Sequence, residues 1–300
     1  MDEFASGALV AAVRQSLAAE GIEVPQIPTT ALVPLEVKRA LLADVARTHG
    51  LLPLLRAGQI LPTLPPDPAL SALTAATTPS DLFERWTRLE RFVHSHHRVV
   101  VRESSPTHLV AEHVGRTPPA PSEDAVVLGV LVALLTMIGA RDVTATLEPH
   151  GQKVFGNGEF AEPSSGHGTA RWGFTWSSVP RPEPAPPPGD LATHAREVLS
   201  ADLPARWTVQ TLATRLGLSP RTLQRQLQPG GGFQAVLATA RADAAADLLM
   251  NTAHPLGVVG FACGYTDQPH LTREFKRRTA MTPAAYRSAF TRLPENEATA

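Results

Sequence analysis

The chain is short of cysteine, of lysine and of long apolar runs, and each shortage excludes something. Its one cysteine, Cys263, rules out an intrachain disulfide and any metal site built from several thiolates, as expected of a reducing compartment. The longest apolar stretch, Val126 to Gly139, falls short of the roughly 20 residues that cross a bilayer, so it is expected as a buried helix and no membrane partner is expected. Asp2 and Glu3 stand where a secretory signal would carry positive charge, so no export is expected and a cytoplasmic location is. Lysine occurs only at Lys38, Lys153 and Lys276; with abundant alanine and proline, this is the composition of a GC-rich bacterial genome. What remains is ordinary globular material: 43% hydrophobic, 18% charged, and at 300 residues long enough for two domains.

A net charge of −1 hides an asymmetry. Residues 206–292 hold 11 Lys/Arg against 4 Asp/Glu, a net of +7, whereas residues 1–205 hold 16 against 22, a net of −6. A basic segment of this kind is a candidate surface for a polyanion, although charge alone also describes a solvated face.

Six prolines between Pro180 and Pro188 interrupt helix and sheet alike, which sets a semi-rigid linker at 179–189 between an α+β domain, 1–178, and an all-α domain, 190–292. In the first, helices are expected over Glu3 to Ala19, Leu35 to Thr48 and Ser80 to His96, the last with Leu82, Trp86, Leu89 and Val93 at helical spacing. Strands are expected over Val99 to Arg102, His108 to Val114, Val143 to Leu147 and Arg171 to Trp176. Gly156, Gly158, Gly166 and Gly168 lie in a long polar loop without the strand–turn–helix setting of a phosphate-binding fingerprint.

In the second domain one motif occurs twice. Leu212-Ala213 lead through Leu216-Gly217-Leu218 to Ser219-Pro220-Arg221-Thr222-Leu223-Gln224-Arg225; Val259-Gly260 lead through Cys263-Gly264-Tyr265 to Thr266-Asp267-Gln268-Pro269-His270-Leu271-Thr272-Arg273. Each copy reads as a short helix closed by a glycine, then a second helix opened by a capping side chain and proline. Helical spacing buries Leu223 and Leu227 in the first copy, and Leu271 and Phe275 in the second. Arg221, Gln224 and Arg225, and then Gln268, His270 and Arg273, are left outside. Arg and Gln can bond guanine and adenine edges bidentately, which a helix lying in the major groove requires. Between the copies, Phe233 to Asn251 reads as a connecting helix of about 27 Å with Leu237, Ala240, Ala244 and Leu248 as its apolar stripe.

Leu216 to Arg225, Gly264 to Arg277 and Met281 to Arg287 resemble the AraC/XylS family of transcriptional regulators, over roughly residues 190–290. The resemblance implies a double helix-turn-helix DNA-binding domain, with base-reading positions at Arg221, Gln224, Arg225, Gln268, Pro269, His270 and Arg273. Thr222, Lys276 and Arg277, with Arg278 beside them, are expected as weaker phosphate contacts. Gly260 stands where the family has Ala. Pro229-Gly230-Gly231-Gly232 loosens the loop before the connecting helix, so larger relative motion of the two copies is expected.

The N-terminal domain is loosely similar to the family's arabinose-binding-type regulatory domain, which implies a small-molecule effector of unknown identity. The implied partners are operator DNA, that effector and, for an activator, RNA polymerase; homodimerisation is left open. No cofactor and no catalysis are expected. Two alternatives stand beside this. The N-terminal domain serves only to dimerise or dock a protein, for which the Val126 helix is apolar enough, or His94 and His97, with His96, His108, His113 and Glu90 nearby, hold a metal for catalysis. Histidines at a helix end more often meet its terminal carbonyls or solvent, the spacing matches no ligand signature, and no nucleophile-elbow pattern is present. Trp172 and Trp176 are expected in the core, and Cys263 as a packing residue.

Overall fold

The structure is a computed structural model that describes residues 4–25, 32–64, 68–93, 97–164, 166, 168–179 and 191–291. Pro180 to Pro188, His94 and His96 lie outside the described residues. The chain divides into two compact units, one of residues 1–67 and 76–181, the other of 68–75 and 182–300.

The first unit opens with strand β1 (Phe4–Ser6), helix α1 (Gly7–Ala19), strand β2 (Leu32–Pro34), and helices α2 (Leu35–His49) and α3 (Leu52–Arg56). β1 and β2 pair antiparallel, two short elements that sequence periodicity does not announce. A 3-10 segment, Ala57–Thr63, follows; helix α4 (Pro68–Thr74) belongs to the other unit. Then come α5 (Pro79–Val93), β3 (His97–Ser104), β4 (His108–Gly115), α6 (Pro121–Met137), β5 (Thr144–Leu147), β6 (Gln152–Gly156), β7 (Glu159–Phe160) and β8 (Arg171–Thr175). The last six strands form one antiparallel sheet in the order β3-β4-β8-β5-β6-β7.

Alternation along these strands supplies the core. Trp172 and Phe174 on β8, Ala111 on β4, and Ala145 and Leu147 on β5 are all buried, with Ala111 and Leu147 in register on either side of Trp172. Phe83 of α5 meets the ring of Phe174 edge-on at 5.4 Å. Trp176 is buried as well, its indole N–H donating to the Pro106 carbonyl at 2.9 Å.

Helix α6 begins earlier than its apolar run suggests, because Pro121 opens the first turn and the Glu123 carboxylate accepts the Ala120 N–H at 3.2 Å. It is buried nearly all round, packed by α3, the 3-10 segment and α2. A Cβ at Gly129 would lie 2.0 Å from the Leu55 carbonyl oxygen, so the two backbones touch there. The apolar surface that suggested a dimer interface is thus covered within its own unit.

Among the described residues the buried Glu123 and Asp124 carboxylates are met by basic or donor groups, as the cost of desolvation demands. Glu123 is 1% exposed and faces Arg39 at 3.4 Å, His97 at 3.7 Å and Lys38 at 3.9 Å. Burial opposes its ionisation, but the Ala120 N–H and the neighbouring Lys38, His97 and Arg39 hold its carboxyl below the ordinary value. Asp124 meets His113 at 2.8 Å and accepts from the Thr169 hydroxyl at 2.6 Å. His97 therefore opens strand β3 rather than ending a helix, and it and His113 are committed to carboxylates in the core. Among the described residues no group of three or more His, Cys, Asp or Glu side chains is placed to hold a metal.

Glu90 is the other buried acid. Its carboxyl accepts the Trp86 indole N–H at 2.7 Å and the Val99 amide at 3.0 Å, joining α5 to the start of β3. Burial pushes its pKa from 4.5 up to about 8, against the opposing pull of those bonds and of Arg98. Because the folded value is the higher one, the proton's contribution to stability is complete below 4.5 and is lost as pH rises through about 8. Thermal unfolding of the full chain is expected to show a melting temperature that declines across that window, and Glu90→Gln, which keeps an acceptor for both donors, is expected to flatten the decline. An equally steep decline in the variant contradicts the assignment.

Candidate nucleic-acid interface

The second unit is helical throughout its described residues: α4, then α7 (Leu191–Ala201), α8 (Val209–Arg215), α9 (Pro220–Leu227), α10 (Gly232–Asn251), α11 (Leu256–Ala262), α12 (Gln268–Thr279) and α13 (Pro283–Phe290). Two helix pairs, α8–α9 and α11–α12, carry the repeated motif.

Each pair is built by the local chemistry its sequence announces. Thr208 caps α8 by accepting the Thr211 amide at 3.0 Å, and Gly217, at φ +66°, takes the left-handed turn that a Cβ disfavours. Ser219 caps α9 through the Thr222 amide at 3.1 Å, with Pro220 behind it. In the second pair Gly264 turns at φ +75°, and Asp267 caps α12 through the His270 amide at 2.7 Å.

The apolar face of each second helix is sealed: Leu223, Leu227, Leu271 and Phe275 are all at most 1% exposed. The other face is open. Arg221, Gln224 and Arg225 are exposed on α9 and Thr222 is half-buried beside them; Gln268, Pro269, Arg273, Lys276 and Arg277 are exposed on α12. His270 is half-buried because its Nδ1 accepts from the Thr266 amide at 3.3 Å and lies 2.9 Å from the Thr266 hydroxyl. Arg277 pairs with Glu274 on its own helix, while Arg278 turns back to α10 and donates to the Thr239 hydroxyl at 3.0 Å. Arg278 thus fixes α12 to the connecting helix. A groove of about 730 Å³ runs beside α9, lined by Gln224 and Arg225 on one side and Gln228, Phe233 and Gln234 on the other.

Helix α10 departs from its expected stripe. Phe233, Leu237 and Ala240 enter the first core, with Leu212, Leu223 and Leu227, whereas Ala245 and Leu249 enter the second, with Val259, Leu271 and Phe275. Ala240 and Leu249 are nine residues apart, about 180° around the helix, so one helix serves two cores on different sides; Leu248 and Ala244 are only partly buried. Arg196 of α7 pairs with Asp243 of α10. The glycines before α10 serve geometry: Gln228–Gly230 form a 3-10 turn and Gly231 and Gly232 adopt φ of +86° and +79°.

Cys263 is buried in the second core, where burial pushes its thiol up to about 12, so it packs and is no thiolate nucleophile.

Residues 212–289 match a family model described as a helix-turn-helix domain. An uncharacterized HTH-type transcriptional regulator of Mycobacterium bovis is 36% identical over 80 residues, 26% of this chain and 23% of that protein. One from Mycobacterium tuberculosis matches equally, so the match spans less than a quarter of the length of these relatives. Among solved structures, the DNA-binding domain of the global transcriptional factor AdpA, in complex with a target DNA, is 29% identical with a TM-score of 0.32, covering 34% of this chain and 94% of that one. The transcriptional regulator CdpR from Pseudomonas aeruginosa is 18% identical with a TM-score of 0.38, covering 93% of this chain and 97% of that one. The matched segment runs from within α8 to within α13 and so takes in both helix pairs.

The two turn glycines differ in surroundings. A Cβ at Gly264 would stand 2.1 Å from the Leu203 carbonyl oxygen, whereas one at Gly217 meets nothing within 4 Å. Gly217→Ala is expected to cost about 1 kcal/mol, the left-handed penalty alone, and Gly264→Ala at least about 2 kcal/mol more because backbone must also move. Urea unfolding of the full chain followed by far-UV circular dichroism measures both; equal losses contradict the close approach.

Proposed function

We propose that the chain is a sequence-specific, DNA-binding transcriptional regulator whose N-terminal unit binds a small-molecule effector. The observation that carries the DNA-reading part is the pair of capped helices α9 and α12, each sealed on one face and presenting Arg and Gln on the other, within a segment matching the helix-turn-helix family. Arg221, Gln224, Arg225, Gln268, His270 and Arg273 are the base readers in this proposal, with Pro269 packing at the groove edge. Thr222, Lys276 and Arg277 are phosphate contacts, Arg277 on giving up Glu274. Bases then set sequence preference, and the +7 of residues 206–292 supplies the nonspecific attraction. No helix of the described residues is long and apolar enough to cross a membrane.

Selection of genomic fragments by the purified chain, followed by titration of the best fragment, tests the proposal. Arg225→Ala and Arg273→Ala are each expected to weaken specific binding by about 1–3 kcal/mol and to relax preference at the base each contacts. Lys276→Ala is expected to weaken all sequences alike and to lower the slope of log affinity against log salt by about one. Unaltered affinity in both arginine variants, or no selective retention of any fragment by the parent chain, overturns the reading.

A further inference from the structure

Helix α11 is only seven residues long, yet it is buried on opposite sides. Val259 and Cys263 lie on one side and join Leu271 and Phe275 in the second core. Phe261 is two residues from each, about 200° around the helix, and is nevertheless 1% exposed. A helix pair does not cover its own far side. The element that packs most extensively on α11 is α4, which comes from sequence far upstream of the domain. Pro68–Thr74 carries no charge, and its Ala72 and Leu73 are 6% and 4% exposed. The base-facing residues Gln268 and Arg273 remain exposed with α4 in place, so the contact is compatible with DNA reading rather than a block on it.

We propose that α4 is a positioning element for the second recognition helix: by seating on α11 it holds the turn before α12, and through it the N-terminal unit sets how well the second half of an operator is read. The described residues on either side of α4, up to Leu64 and from Ala76, belong to the first unit, so in this scheme a rearrangement there reaches α11 along the chain. Ala72 and Leu73 touch no base in this scheme; they act through α11. The operator arm of the scheme rests on the DNA-reading function proposed above.

The test uses the full chain. Ala72→Glu introduces a carboxylate into the contact, Leu73→Ala removes side-chain volume, and Leu73→Met keeps it. Amide hydrogen exchange and nuclease footprinting on a selected genomic fragment are read together. Ala72→Glu and Leu73→Ala are expected to speed exchange across residues 256–279 and leave 209–227 unchanged. They are also expected to lower operator affinity about tenfold, with protection lost over one half of the footprint, while Leu73→Met behaves as the parent. Unchanged exchange in α11, or weakening of both halves of the footprint alike, overturns the proposal. Should Ala72→Glu lose protection throughout the chain, Leu73→Ala decides by the same criteria. A parent chain that protects no fragment defeats the DNA-reading proposal instead, and the exchange measurement still decides whether α4 supports α11.

Discussion

Two reading heads can act on one duplex only if the cores behind them are tied together, and in the second unit that tie is a single helix buried on changing sides. Ala240 seals one core and Leu249 the other, about half a revolution apart. A helix with one continuous apolar stripe would hold both cores on the same side, whereas α10 presents Ala240 to one and Leu249 to the other. The clamps are consistent with this. Arg196 to Asp243 fixes α7 to the middle of α10, Arg278 fixes α12 to its first half, and the Gly264 turn lies against the Leu203 carbonyl.

The first unit solves a different problem with different means. Its sheet and helices meet through acidic side chains placed inside the apolar layer, Glu90 between α5 and β3, Glu123 and Asp124 at the start of α6. Each is matched by donors, since an unmatched buried charge would cost more than the pairing returns. Such contacts contribute little net stability compared with packed hydrocarbon, but they are directional and admit one register. A contact that depends on geometry is also sensitive to it.

What was legible in the sequence was local. Capping by Ser219 and Asp267, the glycine turns and the burial of Leu223, Leu227, Leu271 and Phe275 all follow from a few neighbouring residues, and all stand in the structure. Four of the six strands of the large sheet were visible through alternation; β6 buries Val154 and Phe155 in succession, which breaks the alternation, and β7 is two residues long. The stripe on α10 was misread in its second half because periodicity reports one face, and this helix uses two. The spacing of the histidines matched no ligand signature, but it could not reveal that His97 and His113 meet Glu123 and Asp124 from other elements. Nothing local marks Pro68–Thr74 as part of the C-terminal unit, since seven uncharged residues record no partner.

The hydrogen bond from the Thr266 amide to His270 Nδ1 has a bearing on operator sequence. A ring nitrogen that accepts leaves a neutral imidazole with its N–H donor at Nε2. In the proposed docking that donor suits guanine N7 or O6, adenine N7 or thymine O4 and has nothing to give the exocyclic amine of cytosine. In that docking a threonine outside α12 narrows the set of bases the helix can accept.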